Sequence, residues 1–589
     1  MELTQDFHHL DLMKHANEVP ALQKTEVRPV AVLRFRGVAD PQGIVTGQTP
    51  ATLRGVSHII VDFGRELVGF LDITAAAHTP SGMIVTYGES IEEACDTACD
   101  CDNCCWFHLP EDTHTVQGAP TAYRHEGRRA FRYVHVRSEQ PDARIELHSM
   151  RMTLVHYPVQ DRGSFSSSDP LINRIWDLCR YTTQLCMQTF YEDGIKRDGL
   201  LWVSDYRQQF LSNWTPFGDA ALARRSLIMF AATQMADGFI PACAAAAGGH
   251  QHTDGGFHPV DGISYMPGIP FKFGTAKMLL IHYSSDYLSC LLDYVLHTGD
   301  TALLDSVWPT VQRLIAAHEK HPYAPGKTYA TEWYGWNSLG TMLVQVITGM
   351  RDGARLAALH GDPAIGARCG ALADRLQQRV LAEHFDPAAG IFTDDPSAGA
   401  GGVGGMHVNT FAVLSGTVDR TNGRCIIEKA IAAKARQAEW SGMRMWQHAG
   451  EFEVGMADVA LQGMRAFWGF MLDRGATTAW ESCDRKPDGG WRKPIISRCH
   501  GWGGTACHLL SRYVLGVRPT APGFARVRMC PQLGDLQWAE GVVPTPRGDI
   551  RIELDAKTGG RAIVPAGIEV EPGCTIEVCS RTPPKSRSS

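Results

Sequence analysis

Long hydrophobic runs are missing from this sequence. No window of its 589 residues approaches the roughly 20 consecutive apolar residues that a membrane-spanning helix needs. The segment Met1–Asp11 also lacks the basic start and the apolar middle of a secretory signal. These two absences predict a cytoplasmic protein that does not insert into a membrane.

An excess of positive charge is missing as well. Lysine and arginine total 56 against 63 aspartate and glutamate residues, which gives a formal net charge of −7. Proteins that bind nucleic acid usually carry a basic stripe or patch that neutralises phosphates. The charge balance therefore predicts that nucleic acid is not a partner.

The familiar cofactor motifs are absent too. The sequence has no phosphate-binding loop, no dinucleotide fingerprint and no His-Glu-x-x-His zinc helix. The run Gly399–Gly405 is rich in glycine, but it lacks the Lys-Ser or Lys-Thr pair of a phosphate-binding loop. We interpret it as a flexible loop at the rim of a site, and we expect an activity that needs no cofactor and no metal.

Seventeen cysteines are present, but they do not indicate a disulfide framework. Their odd count and their scatter, as at Cys179, Cys290 and Cys425, favour reduced thiols in the core. Five others fall between Cys95 and Cys105, without the second Cys-x-x-Cys knuckle that structural zinc sites usually have. We interpret this cluster as a surface loop, with metal or redox binding as the less favoured alternative.

Length and residue patterns predict several domains. A chain of 589 residues exceeds what one hydrophobic core supports, so about two to four domains are expected. Alternating apolar residues predict strands from 30 to about 160, helical spacing begins at Ser168, and strands return after Gly516. We place the domains at 1–162, 163–515 and 516–589.

The middle region has helical periodicity without intervening strands. Ser168-Asp-Pro supplies a capping residue and an early proline at the start of one helix. This pattern predicts an all-α toroid or solenoid. Amphipathic segments are predicted at 221–235, 283–298, 303–319, 337–360, 363–382, 423–437, 453–473 and 501–515.

Tryptophan is concentrated in this helical region. Twelve of the fourteen tryptophans lie between Trp176 and Trp502. Those at helical spacing, such as Trp176 and Trp468, are expected in the core. Those in loops are candidate platforms for a sugar ring, and we expect about half of them to contact ligand. The loop tryptophans are Trp202, Trp333, Trp336, Trp480, Trp491 and Trp502.

The segment Tyr191–Asp205 is the first candidate for chemistry. It places four carboxylates, two cations and a tryptophan in one turn-rich stretch. Glycoside hydrolysis needs one carboxyl group as a proton donor and a second as base or nucleophile. Neighbouring charges can move the pKa values of such a pair apart. A solvated charged loop is the alternative.

A second segment far downstream favours the glycosidase interpretation over a solvated charged loop. Leu472–Glu481 ends in Gly-Ala-Thr-Thr-Ala-Trp-Glu, and Ser497–Gly504 contains His500. Together with Tyr191–Asp205, these segments resemble the family 78 glycoside hydrolases, the α-L-rhamnosidases. Further landmarks of the resemblance are 62–70, 287–309, 516–524 and 544–549.

The resemblance implies a fold and a set of roles. The fold is a multidomain protein in which an (α/α)6 barrel catalytic domain is flanked by N-terminal and C-terminal antiparallel β-sandwich domains. The general acid falls on Asp198 and the general base on Glu481, and in an inverting enzyme two such groups stand roughly 6.5 to 9.5 Å apart. The implied and candidate substrate-binding residues are Asp193, Arg197, Trp202, Asp205, Glu332, Trp333, Trp336, Trp480, His500 and Trp502.

A purely structural role stays open for two of these residues. Asp193 precedes Gly194 and fits a turn residue, and His500 fits a capping or core histidine. The sequence also departs from the family pattern, because Gly199 stands where arginine is expected and Ser204 where glycine is expected. These departures concern substrate detail more than reaction class.

The expected function is that of an inverting exo-α-L-rhamnosidase acting on small rhamnosides. Two alternatives stay open: an (α/α)6 glycosidase for another terminal sugar, and a catalytically silent sugar-binding relative. The substrate is the one expected partner, and a homo-oligomer is left open.

Overall fold

The computed structural model describes most of the chain. Strands come first, helices occupy the middle and strands return at the end, which confirms the expected order of a helical domain between two sheet regions. The described residues are 12, 18–95, 111–125, 127–196, 199–244, 279–324, 339–393, 405–435, 437–483, 496–573 and 576–581.

The N-terminal region is a six-stranded sheet in which every pairing between strands is antiparallel. Within the predicted strand region, the alternating stretches 57–62, 67–73 and 83–87 belong to one long strand that pairs with four others. The strands are β1 (Gln23–Val27), β2 (Ala31–Ala39), β3 (Ala51–Gly88), β4 (Glu111–Arg124), β5 (Arg129–Ser138) and β6 (Arg144–His156). Two short helices, α1 (Gly43–Thr46) and α2 (Ile91–Cys95), lie in the connections.

Alternation of side chains explains why these residues form a sheet with one buried face. In β6, Ile145 and Leu147 are fully buried, whereas Glu146 and His148 are partly exposed. At Gly69 in β3 a side chain has no room, because a Cβ atom there would lie 1.9 Å from the carbonyl oxygen of Thr153. Glycine at this position therefore permits the close pairing of β3 with β6.

The middle region is helical. Its helices are α3 (Pro170–Cys186), α4 (Val203–Trp214), α5 (Ala221–Ala232), α6 (Ile281–Thr298), α7 (Thr301–Lys320), α8 (Leu339–His360), α9 (Pro363–Glu383), α10 (Met406–Leu414), α11 (Arg420–Ala432), α12 (Ser441–Glu453), α13 (Ala457–Leu472) and α14 (Ala506–Leu509). Short strands in this region are β7 (Ser164–Ser167), β8 (Leu201–Trp202), β9 (Cys243–Ala244), β10 (Phe385–Asp386) and β11 (Ile391–Phe392). None of the described helices is both long and apolar enough to cross a membrane.

The start of α3 shows how the sequence sets a helix boundary. Asp169 is the N-cap, and its carboxylate accepts hydrogen bonds from the backbone N–H groups of Leu171 and Ile172 at 2.8 and 3.4 Å. Pro170 occupies the first helical position, where its missing N–H is not needed. The predicted helix start is confirmed.

Three helices, α4, α10 and α12, do not appear among the predicted segments. In α4, eleven of the twelve residues are buried, so the polar face that would reveal helical periodicity is absent. The segment 501–515, predicted as one amphipathic helix, instead divides into a 3-10 turn at Gly501–Thr505, α14 and a π turn at Leu510–Val514.

The C-terminal region consists of a three-stranded and a five-stranded sheet. Its strands are β12 (Val517–Pro519), β13 (Arg526–Met529), β14 (Trp538–Val543), β15 (Ile550–Asp555), β16 (Gly559–Pro565), β17 (Glu569–Val570) and β18 (Glu577–Arg581). The expectation of a purely antiparallel region is wrong, because β13 pairs with β17 and β16 with β18 in parallel. In addition, β7 from the start of the helical region joins the larger sheet beside β14.

Candidate active site

The two motif-bearing segments lie against each other. Gly194 and His500 form an isolated antiparallel bridge. The backbone N–H of Gly501 donates to the carbonyl oxygen of Asp193 at 2.5 Å, and that of Ile195 donates to Cys499 at 3.4 Å. Residues some 300 positions apart in the sequence are thereby held in one place.

Asp193 closes the loop that leads to β8. Its Oδ1 atom accepts a hydrogen bond from the backbone N–H of Leu200 at 2.9 Å, and its own N–H donates to the carbonyl oxygen of Leu200 at 3.0 Å. Gly199 has a φ of +72°, a conformation that side chains disfavour, so glycine fits this turn where the family resemblance leads one to expect arginine. Asp193 is 3% exposed, which gives it a loop-closing role whatever its contact with substrate.

His500 and Asp205 form a buried pair. His500 Nε2 lies 3.3 Å from Asp205 Oδ1, and each side chain is 4% exposed. Burial lowers the pKa of His500, but the hydrogen bond to Asp205 and the charges of Glu481 and Asp193 outweigh it, so the pKa is raised. Burial raises the pKa of Asp205, and His500 opposes that rise. His500 is therefore more than a core histidine, because its charge depends on three surrounding carboxylates.

Glu481 is held by hydrogen bonds from other segments of the chain. Its Oε2 atom accepts a hydrogen bond from the backbone N–H of Ser497 at 2.9 Å. Its carbonyl oxygen accepts from the N–H of Ser441, the first residue of α12, at 2.9 Å and from Trp502 Nε1 at 3.1 Å. Glu481 is 5% exposed, so its position is fixed by both neighbours.

Three of the candidate tryptophans, Trp202, Trp480 and Trp502, are buried. Trp502 lies with its ring centroid 4.8 Å from that of His500 and 5.9 Å from that of Trp440. The guanidinium of Arg498 lies 5.1 Å above the ring of Trp480. Trp202 is the N-cap of α4 and meets Tyr283 edge to face. Trp502 therefore packs against His500, whether or not it also contacts a sugar.

The N-terminal sheet region contributes a carboxylate cluster that the sequence analysis missed. Lys196, two residues before Asp198, places its Nζ 2.6 Å from Glu89 and 2.9 Å from Glu93. Glu66, also buried, interacts electrostatically with both glutamates and with Lys196. No signal in the local sequence links these glutamates to Lys196. Only Glu66 lies in a segment that the family resemblance singled out, residues 62–70.

Glu89 also reaches the segment next to Glu481. Its Oε2 atom accepts a hydrogen bond from the backbone N–H of Arg498 at 2.7 Å, while the adjacent N–H of Ser497 donates to Glu481. The Glu89 carboxylate thus contacts both Lys196, in the segment Tyr191–Asp205, and Arg498, in the segment Ser497–Gly504.

The charged groups of this cluster shift one another's pKa values. Burial raises the pKa of Glu66 well above its ordinary value, and the charges of Glu89 and Glu93 raise it further. Burial lowers the pKa of Lys196, but Glu89 and Glu93 more than offset that effect and the pKa is raised. Lys196 is therefore a charged anchor, and Glu66 is biased towards its neutral form.

Ser204 connects the site to the centre of the helical region. Its hydroxyl donates to Asp286 on α6, an interaction that a glycine could not make. Burial raises the pKa of Asp286 to about 6, although Arg207 and Ser204 oppose the shift. Serine at 204 thus supplies a hydrogen bond to a buried carboxylate.

Several sequence-predicted site residues lie outside the described residues. These are Arg197, Asp198, Glu332, Trp333, Trp336 and Trp491. Of the cysteine cluster only Cys95 is described, and it is exposed at the end of α2. Within the described ranges no group of His, Cys, Asp and Glu side chains is arranged to hold a metal ion.

Two family models match the chain. Residues 160–340 match the bacterial alpha-L-rhamnosidase 6 hairpin glycosidase domain, and residues 516–587 match the bacterial alpha-L-rhamnosidase C-terminal domain. Together with the helical fold and the paired motif segments, these matches define a six-hairpin glycoside hydrolase. Both matched regions resemble domains of bacterial α-L-rhamnosidases, which agrees with the sequence resemblance.

Individual relatives agree with this assignment. An alpha-L-rhamnosidase of Alteromonas sp. (strain LOR) is 34% identical over 110 residues, which is 18% of this chain and 12% of that protein. The GH78 family rhamnosidase of Bacillus sp. GL1 has a TM-score of 0.71 at 22% identity, covering 90% of this chain and 55% of that one. The rhamnosidase from Klebsiella oxytoca, solved with rhamnose bound, has a TM-score of 0.71 at 22% identity, covering 85% and 98%.

The two structural likenesses show a shared fold. The curated relative is matched over only 12% of its own length, and the Bacillus structure over 55%.

Proposed function

We propose that this protein is an inverting exo-α-L-rhamnosidase that removes a terminal rhamnose from small glycosides. The observation that carries the proposal is the contact between the two motif segments, which gathers the buried groups Asp193, Asp205, Glu481 and His500. Buried carboxylates with coupled protonation are typical of glycosidase sites.

Glu481 is the proposed general base. The backbone N–H of Ser497 donates to Oε2, which fixes the carboxylate that is proposed to accept a proton from water. Trp480 and Trp502, each 4% exposed, exclude solvent from its surroundings. Asp198 is the proposed general acid. It is flanked in the sequence by Lys196, which pairs with Glu89 and Glu93, and by Leu200, which bonds to Asp193.

The remaining site residues are proposed to bind the sugar. Asp193, Asp205 and His500 would present polar groups to its hydroxyls, and Trp202, Trp480 and Trp502 would supply apolar surface. The proposal extends to Arg197, Glu332, Trp333 and Trp336. The helical region is proposed to be an (α/α)6 barrel, with domain limits at 1–162, 163–515 and 516–589. A cytoplasmic location and the oligomeric state stay predictions.

The test is a panel of nitrophenyl glycosides followed by proton NMR of the first product. Rhamnoside hydrolysis with initial release of the β-anomer from an α-rhamnoside is the expected result, because a single displacement inverts the anomeric centre. Activity on another terminal sugar alone would reject rhamnose specificity, and initial release of the α-anomer would reject inversion.

A silent sugar-binding protein is the rival from another class. Gly199 and Ser204 raised this alternative, but both have local structural reasons here, in the φ of +72° at Gly199 and the hydroxyl contact with Asp286. If rhamnose raises the melting temperature while no glycoside is hydrolysed, the rival is correct.

A further inference from the structure

A second cavity lies away from the candidate active site. Its volume is about 730 Å³, and its walls come from α4, α6, α8, α10, α12 and the segment from His508 into the C-terminal sheet region. On α12 the lining of this cavity runs from Met445 to Glu453. None of the candidate site residues Asp193, Asp205, Glu481 and His500 lines it, so the cavity is distinct from the candidate active site.

Arginine dominates the lining of this cavity. Its charged lining residues are Arg207, Arg355, Arg420, Arg512, Arg518, Arg528, Asp293, Asp352 and Glu453. Six arginines thus face three acids. Arg355, Arg420 and Arg528 are exposed at the rim, whereas Arg207 and Arg518 have side chains only 12% and 13% exposed.

The acids of the cavity already have partners. Asp293 pairs with Arg207 at 2.8 Å, and Glu453 pairs with Arg518 at 2.7 Å. Asp352 lies 3.5 Å from Arg355 and 3.7 Å from Arg207. This leaves Arg420 and Arg512 without an ion pair among the described residues, although Arg512 interacts with Tyr513 and, at longer range, with Glu453.

His508 adds a neutral donor to the inner wall. It is 7% exposed, and its ring makes no hydrogen bond to any described residue. Burial lowers the pKa of His508 well below its ordinary value, and the charges of Arg512, His297 and Arg207 lower it further. The imidazole is therefore neutral, with one ring N–H that can donate to an oxyanion.

We propose that this cavity is a binding site for a small polyanion, either a phosphate ester or a polycarboxylate. Guanidinium groups present paired N–H donors that match the oxygens of both kinds of anion. The excess of arginine over acid favours negative charge in the cavity, and its volume suits a small molecule. The site is independent of rhamnoside hydrolysis, so the proposed function can fail without affecting it.

Isothermal titration at constant ionic strength tests the proposal, with citrate and pyrophosphate as the two probes. Wild-type protein is expected to bind at least one probe saturably with a dissociation constant in the millimolar range or below. The tighter probe identifies the anion class. Arg512→Met is expected to weaken binding about tenfold, which corresponds to about 1.4 kcal/mol.

Two further variants keep the outcome decisive. Arg420→Gln lies on the exposed first turn of α11, where folding is not at risk, and it is also expected to weaken binding. Arg561→Gln removes an exposed arginine that pairs with Glu553 outside the cavity, and it should bind like wild type. Absence of saturable binding, or binding unchanged in both Arg512→Met and Arg420→Gln, overturns the proposal.

Discussion

At the scale of single residues, the site depends on a few buried charges whose protonation states influence one another. Glu481 contributes to the raised pKa of His500 and also to that of Asp205. A change at any one of these groups therefore alters the charge of the others, and substitution effects in this group should not be additive.

Glu481→Gln should lower turnover of a rhamnoside by several orders of magnitude while rhamnose binding weakens little. The lost proton acceptor matters mainly in the transition state, so kcat falls and KM changes little. Steady-state kinetics and rhamnose titration measure the two quantities. If unfolding measurements show a large loss of stability and the folded fraction keeps its turnover, Glu481 is a structural residue.

Asp198→Asn should impair cleavage of glycosides with poor leaving groups more than cleavage of activated aryl glycosides. A phenolate with a low pKa departs without protonation, whereas an alkoxide needs the proton donor. The ratio of kcat/KM values for a nitrophenyl and an alkyl rhamnoside measures the effect. Equal losses on both substrates would reassign Asp198 to sugar binding.

His500→Gln should lower the melting temperature more at mildly acidic pH than at alkaline pH. Because the pKa of His500 is raised in the folded protein, its protonated ring stabilises the fold below the ordinary histidine pKa. That contribution is lost as the pH rises through the raised value. His78→Gln, at an exposed position, is the matched control. A difference that is the same at every pH would contradict the charged state of His500.

At the scale of elements, contacts between distant segments hold the candidate site in place. The loop 193–200 is bonded to 499–501, and the N-terminal region reaches both through Glu89. Loops carrying catalytic groups need such support, because small displacements of the reacting groups are costly for the rate.

Glu89→Gln should lower kcat about tenfold with little change in KM, an effect of the size that supporting residues of a site commonly have. The carboxylate bonds Lys196 and the N–H of Arg498, so its neutralisation loosens both segments without removing a sugar contact. Glu92→Gln, an exposed neighbour on α2, is the control. A pure loss of stability with unchanged kcat and unchanged pH profile would reject the positioning role.

At the scale of the whole molecule, the two sheet regions are tied to the helical region by different means. Ion pairs and hydrogen bonds of Glu66, Glu89 and Glu93 contribute to the N-terminal connection. Apolar packing of Leu185 and Cys186 into the core of the N-terminal sheet contributes as well. The C-terminal connection includes backbone pairing, because β7, which directly precedes α3, is a strand of the larger C-terminal sheet.

Gly541→Ala should destabilise the protein by about 1–3 kcal/mol, the usual cost of overpacking. A Cβ atom at Gly541 in β14 would lie 2.4 Å from the carbonyl oxygen of Ser164 in β7 and 2.6 Å from Leu515. Gly370→Ala is the matched control, since a Cβ atom there meets nothing within 4 Å on helix α9. Thermal unfolding of both variants measures the difference. A melting temperature of Gly541→Ala equal to that of the wild type would contradict the expected overpacking.

The sequence by itself determined the order of sheet and helical regions, most helix positions and the resemblance to bacterial α-L-rhamnosidases. Those features rest on local patterns, such as Asp169-Pro170 at a helix start and the alternation of buried residues in β6. The candidate residues Asp193, Asp205, Glu481 and His500 were likewise identified from local motif segments.

Only the tertiary structure decided which distant groups meet. Helices α4, α10 and α12 went unrecognised, because α4, for example, is buried on almost every side and shows no polar face. The glutamates at Lys196 and the arginines around the second cavity are separated in sequence by up to several hundred residues. Their proximity follows from long-range packing, which no local spacing encodes.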